Sequence, residues 1–153
     1  MITKDSVVSD EVEIAAPVER VWQILIDFEN YDSWNSFCPS IRNRALEVGE
    51  AVEMMTDLGN GLQKQIEFIR SIVPNQEISW GMSNAPGDAI HALRTQRLTR
   101  VDEHSCRYVS DDVFSGVAVE PMLAAFGKSI EDGFNRCARE LKRHAEKQYS
   151  RST

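Results

Sequence analysis

The chain carries no catalytic signature, so any chemistry must come from isolated polar residues in strand-like segments, chiefly His91, Tyr108 and Asp112. His91 is the one histidine placed to meet a ligand, because His104 lies in a turn and His144 near the end of a helical run. A metal would need two or three converging His, Cys or carboxylate ligands, and neither His-x-x-x-His nor Cys-x-x-Cys occurs; no metal and no cofactor are expected. Cys38, Cys106 and Cys137 are odd in number and widely spaced, which fits small packing residues rather than a disulfide framework. There is no Gly-x-Ser-x-Gly elbow, and Gly59-Asn60-Gly61 fits a hairpin turn rather than a phosphate loop.

For Asp112, segments 88–101 and 104–116 read as a hairpin divided by Asp102-Glu103. With the turn centred between Glu103 and His104, residues whose numbers sum to about 207 face each other across the antiparallel ladder. Asp112 then opposes Thr95, and Ser110 opposes Arg97. His91 falls roughly 13 Å along the strand from Asp112, so a His–Asp dyad is not supported. Arg97, one diagonal step away at about 7–8 Å, is the expected partner. Such a pair would keep Asp112 ionised and make it a poor general base near neutral pH.

These residues need a scaffold, and the only long helical period runs from Val119 to about Tyr149. Val119, Met122, Leu123, Phe126, Ile130, Phe134, Cys137, Leu141 and Ala145 recur every three or four residues, with charged residues between them. Pro121 suits a first turn. A helix of roughly 40–45 Å has to lie across a surface of similar length, and a sheet is the element that offers one. Gly127 and Gly133 inside it each cost roughly 1 kcal/mol relative to Ala, either for close approach to the sheet or for room beside a ligand. Upstream, residues 7–14 read as a strand, Pro17 opens a helix, and a second short helix or turn covers 27–34. Strand-length segments follow at 40–47, 50–58, 62–73 and 76–82. Ile66 and Phe68 share one face of their segment and Ile69 the other, so a bulge or a two-sided strand is expected there. The sum is an α+β domain: a curved antiparallel sheet of about seven strands around a long C-terminal helix, with two short helices after the first strand. A sheet that wraps a helix leaves space between them, a natural ligand cavity unless bulky side chains fill it.

With 153 residues, 42% hydrophobic and 27% charged, the chain fits a single domain spanning 1–153. A formal charge of -7 argues against nucleic acid as a partner. Residues 1–5 lack an apolar leader and no window has the apolar length of a membrane span, so a cytoplasmic protein without stable membrane insertion is expected.

The run Ile14-Ala15-Ala16-Pro17-Val18-Glu19-Arg20-Val21-Trp22, followed by Asp27-Phe28-Glu29-Asn30-Tyr31-Asp32-Ser33-Trp34-Asn35-Ser36-Phe37, resembles the opening of the START-like, or SRPBCC, superfamily. Val48-Gly49, the 73–80 run ending in Trp80, His91 and Phe114-Ser115-Gly116 extend the resemblance over nearly the whole chain. It implies the helix-grip fold of the polyketide cyclase/dehydrase and lipid transport group, and no shared catalytic motif. It also implies that Ile78, Trp80 and Met82, then His91, Leu93 and Thr95, then Tyr108, Ser110, Asp112 and Phe114 face inward. These would line a cavity with Val52, Met54 and Thr56 and with Phe126, Ile130 and Phe134 of the helix. Trp34, Asn35 and Phe37 would sit at its mouth, or Trp34 would anchor the short helices instead. The expected ligand-binding set is Trp34, Phe37, Met54, Trp80, Met82, His91, Leu93, Arg97, Tyr108, Asp112, Phe114, Phe126 and Ile130, with Asp112, His91 and Tyr108 as catalytic candidates.

Three functions fit. One is binding of a small apolar or aromatic ligand of lipid, polyketide or isoprenoid type. The second is a cyclase/dehydrase-like enzyme. The third is a protein-interaction module with a filled interior, which would need Met55, Val109 and Val113 to form an outer apolar patch. Homodimerisation is left open.

Overall fold

The computed structural model describes residues 1–83 and 85–152. Eight strands, β1 (Ser6–Val8), β2 (Val12–Ile14), β3 (Ser40–Arg42), β4 (Ala51–Asp57), β5 (Leu62–Val73), β6 (Glu77–Gly81), β7 (His91–Asp102) and β8 (Ser105–Ser115), form one sheet. Its order is β1-β8-β7-β6-β5-β4-β3, antiparallel throughout, and β2 also pairs β8. Helix α1 (Val18–Ile26) and a 3-10 helix (Phe28–Ser33) follow β2, and α2 (Val119–Ser152) closes the chain. This is the expected α+β helix-grip architecture.

The single first strand expected over 7–14 is two strands, because Ser9 interrupts the ladder: its hydroxyl accepts from the Ser110 N–H at 2.9 Å. The expected 40–47 strand is only Ser40–Arg42. Curvature comes from ladder irregularities, which bend and twist a strand. One falls between Ile69 and Ser71, within the segment whose apolar residues occupy both faces; another lies between Arg100 and Asp102.

The second irregularity overturns the expected hairpin register. Asp102 does pair with Ser105, as the turn implies, but the shift beyond it makes Arg94 face Asp112, Thr95 face Asp111 and Arg97 face Val109. A slip of one residue turns every side chain to the other face. On β7 the inner residues are therefore Ala92, Arg94, Gln96 and Leu98, while His91, Leu93, Thr95 and Arg97 face out. The expected Arg97–Asp112 pair does not form; Arg97 is ion-paired with Asp111 on the outer face.

Packing of α2 is uneven along its length. Phe134, Cys137, Ala138, Leu141 and Ala145 are buried, against a core that includes Ile14, Leu98, Cys106 and Tyr108. At the other end Phe126 is 49% exposed and Met122 and Ile130 are only half-buried, so the apolar stripe is not packed throughout. Gly133 serves a close approach, though to the turn after the 3-10 helix rather than to the sheet: a Cβ there would lie 2.5 Å from the Phe37 ring. The outer face forms no joint Met55–Val109–Val113 patch, since β4 and β8 are four strands apart in the sheet, roughly 19 Å.

Candidate functional site

Between the sheet and the N-terminal half of α2 lies a cavity of about 380 Å³. Each wall has a local origin. On β4 alternate burial turns Met54 and Thr56 inward. Trp80 of β6 is 2% exposed and meets Phe28 edge-on at 6.0 Å, while Met82, just beyond that strand, sits at the rim. Phe114 and Asp112 come from β8, Ala92 and Arg94 from β7, and Met122, Phe126, Ile130 and Phe134 from α2. Phe37 enters from a turn held by Asn35, whose Oδ1 accepts from the Cys38 N–H at 2.8 Å. The Phe37 carbonyl in turn accepts from the Asp57 N–H at 2.8 Å. Its ring meets Phe134 edge-on at 5.7 Å.

Of the residues expected in the site, Phe37, Met54, Trp80, Met82, Asp112, Phe114, Phe126 and Ile130 border this cavity, and five do not. His91, Leu93 and Arg97 lie on the outer face for the register reason given above. Tyr108 is on the inner face but deeper, fully buried, with its hydroxyl donating to Gln96 Oε1 at 2.6 Å. Trp34 packs edge-on against Tyr31 at 4.8 Å and stacks on His144, so it anchors the 3-10 helix to the far half of α2. Two catalytic candidates, His91 and Tyr108, are thereby removed from the cavity.

The charged residues missing from the expected set are Arg94 and Glu67. Arg94 is 7% exposed and its guanidinium lies over the Phe134 ring at 4.4 Å and 5.5 Å from the Phe37 ring, a cation held between two aromatic faces. Its terminal nitrogen is 4.0 Å from Cys137 Sγ, its Nε has no hydrogen-bond partner, and among the described residues no carboxylate lies within 4 Å. Glu67, 9% exposed, points inward from β5 beside Val52 of β4. Asp112 Oδ1 is buried without a partner. Burial lifts the Glu67 carboxyl to about 7, against the pull of Arg94 and Arg70. Burial, reinforced by Glu67 and opposed by Arg94, raises Asp112 well above its ordinary value. Asp112 is therefore a buried carboxyl facing Arg94 across the ladder and not the partner of Arg97 that the sequence suggested.

The cavity is thus an apolar, aromatic chamber with a buried cation, Arg94, and two buried carboxyl groups, Glu67 and Asp112. The rim is apolar and open: Ile66 is 50%, Met82 39% and Phe126 49% exposed. No described helix is long and apolar enough to cross a membrane.

Comparison with known proteins agrees with this geometry. A family described as polyketide cyclase / dehydrase and lipid transport matches residues 6–146. No curated protein matches the chain. Among solved structures, a hypothetical protein of Helicobacter pylori superposes with TM-score 0.71 at 13% identity, over 94% of this chain and 89% of that one. The Zhui aromatase/cyclase of a Streptomyces species gives 0.66 at 18% identity, over 91% and 94%. A START superfamily protein of Mycobacterium smegmatis gives 0.62 at 15%, over 90% and 99%. At these identities the likeness is one of fold.

Proposed function

Because this chain belongs to the polyketide cyclase/dehydrase and lipid transport family, we propose that it binds a small apolar or aromatic molecule, of lipid, polyketide or isoprenoid type, between its sheet and α2. The observation that carries this reading is the chamber of about 380 Å³ walled by Phe37, Met54, Trp80, Phe114 and Phe134. That volume falls at the small end of ligand pockets, roughly 300–1,000 Å³, and burial of an apolar body there is worth about 25 cal/mol per Å² before binding costs. The same reading has the chain working as one START-like domain in the cytoplasm, apart from nucleic acid and without membrane insertion. Its charge of -7 supports the first of those exclusions.

Native mass spectrometry of freshly purified protein tests the proposal, with retention of a small apolar mass expected. Titration with apolar dyes or lipids should also change Trp80 fluorescence. If no apolar probe binds, the reading is wrong.

A second reading, an enzyme of cyclase/dehydrase kind, is favoured by one feature: Glu67, with its carboxyl at about 7, suits a general acid or base near neutral pH, and Asp112 and Arg94 border the same space. Incubation with a linear poly-β-carbonyl chain, read by the absorbance of an aromatic product, tests it. A rate unchanged in Glu67→Gln would remove Glu67 from that role.

A further inference from the structure

Arg94 is a buried cation without a direct ion pair among the described residues. It is buried, it borders the cavity, its Nε has no partner, and no described carboxylate approaches within 4 Å. Burying a lone charge is costly, and the two phenyl faces offset only part of that cost. A planar guanidinium is matched best by a carboxylate, which accepts two parallel N–H bonds. We propose that the ligand of this cavity is an amphipathic monocarboxylate, its apolar or aromatic body against Trp80, Phe114 and Phe126 and its carboxylate on Arg94. The proposal rests on the cavity reading above and names the ligand class.

The groups facing Arg94 decide the cavity's charge. From β5 there is Glu67, from β8 Asp112 and Tyr108, from α2 Cys137, and from the turn after the 3-10 helix Cys38. Burial keeps Cys38 at about 12 and holds Tyr108 and Cys137 above their usual values, so all three are neutral at physiological pH. Burial raises Asp112 well above its ordinary value too. Glu67, raised by burial to about 7, is placed to change its charge near neutral pH. While it is protonated, the cavity carries the full Arg94 charge and attracts an anion; once ionised, it cancels that charge and repels one. Acid binding is therefore coupled to proton uptake, and binding of a neutral analogue is not.

The test uses two matched probe pairs, 2-naphthoate against 2-naphthamide and decanoate against decanamide, in titration calorimetry of the full chain at pH 6, 7 and 8. At pH 6 each acid is expected to bind at least about tenfold tighter than its amide, the lower end of what a charge-assisted bond contributes. Acid affinity should fall about tenfold by pH 8 while amide affinity stays level. Runs in two buffers of different ionisation enthalpy should show about one proton taken up per acid at pH 8 and almost none at pH 6. Arg94→Met should erase the acid-over-amide preference, Arg94→Lys should keep its order at a smaller ratio, and Glu67→Gln should remove the pH dependence. If Arg94→Met fails to fold, the wild-type ratios at pH 6 and 8 still decide. Amides binding as tightly as acids would overturn the inference and leave the cavity reading standing. No binding of either pair would overturn both.

Discussion

The two halves of α2 carry the same helical period but meet the sheet differently. From Phe134 to Ala145 the stripe is closed: Phe134 is 2% exposed, Cys137 and Leu141 are fully buried, and β2 and α1 pack alongside. From Met122 to Ile130 only Leu123 of the stripe joins the core, and Met122, Phe126 and Ile130 border a cavity that Arg94 and Asp112 also line. An amphipathic stripe reports that a face is apolar, and what lies opposite decides whether that face becomes core or ligand wall. The closed half supplies stability that the open half can do without.

The sharpest way to break this comparison is a pair of truncations. Phe134→Ala removes a ring packed on Phe37 and Arg94 and should cost about 3–5 kcal/mol in urea unfolding. Phe126→Ala, at a half-exposed site, should cost less than about 1 kcal/mol yet weaken uptake of apolar probes. Equal losses from the two would mean that the cavity end is as tightly packed as the other.

The next effect comes from pH. Glu67 has a folded-state value raised to about 7 from an ordinary 4.5, so between those values the folded state binds more protons than the unfolded one. Stability then falls as pH rises through that window and levels off above about 7. The span corresponds to about 3 kcal/mol, and Asp112 acts in the same direction. His144, whose value burial lowers, opposes this weakly near its ordinary 6.5. Denaturant melts from pH 5 to 8 on wild type and Glu67→Gln separate the two, because only the Glu67 contribution disappears in the variant. A wild-type profile identical to that of Glu67→Gln would show that Glu67 is not held in an apolar setting.

The two helical glycines sharpen the contrast further. Replacing Gly127 with Ala adds a Cβ that meets Ile2 at 3.5 Å and Leu123 at 3.8 Å, ordinary contacts, so helix propensity should make the variant more stable by about 0.5–1 kcal/mol. At Gly133 the same Cβ would sit 2.5 Å from Phe37, and displacing that ring should outweigh the propensity gain by about 1 kcal/mol. Opposite signs in thermal melts are expected; a stabilising Gly133→Ala would show that Phe37 moves freely and is no fixed wall of the cavity.

What the sequence could and could not reveal follows from where its signals are periodic. The helix was legible because a 3.6-residue period persists over many turns, whereas the inner face of β8 rested on the family resemblance, since Val109 and Val113 on its other face leave alternation undecided. The β7 face was not legible, since a ladder shift between Arg100 and Asp102 lies between the turn and the residues whose pairing was counted from it. One slipped position exchanged Arg94 for Arg97, and the same ladder puts His91 and Leu93, which the resemblance had placed inside, on the outer face. Glu67 escaped notice because β5 has apolar residues on both faces, so alternation selects neither. Trp34 and Phe37 are three residues apart in a turn with no period at all, and only the Asn35 hydrogen bond shows which of them reaches the cavity.

The smallest expected effect belongs to the ion pair that Arg97 makes in place of the expected one with Asp112. Arg97 and Asp111 lie one diagonal step apart on the outer surface of β7 and β8, with Arg97 43% and Asp111 18% exposed at the side chain. Exposed pairs gain little, because water screens the attraction and ordering a long side chain costs entropy; coupling is typically 0.2–1 kcal/mol. A double-mutant cycle with Arg97→Met and Asp111→Asn should therefore give less than about 1 kcal/mol and shrink further in high salt. The parallel cycle with Arg97→Met and Asp112→Asn should be additive, since the two side chains lie on opposite faces of the sheet. Strong coupling in that second cycle would restore the shifted register, place Arg97 inside and Arg94 outside, and remove the cation on which the proposed ligand chemistry depends.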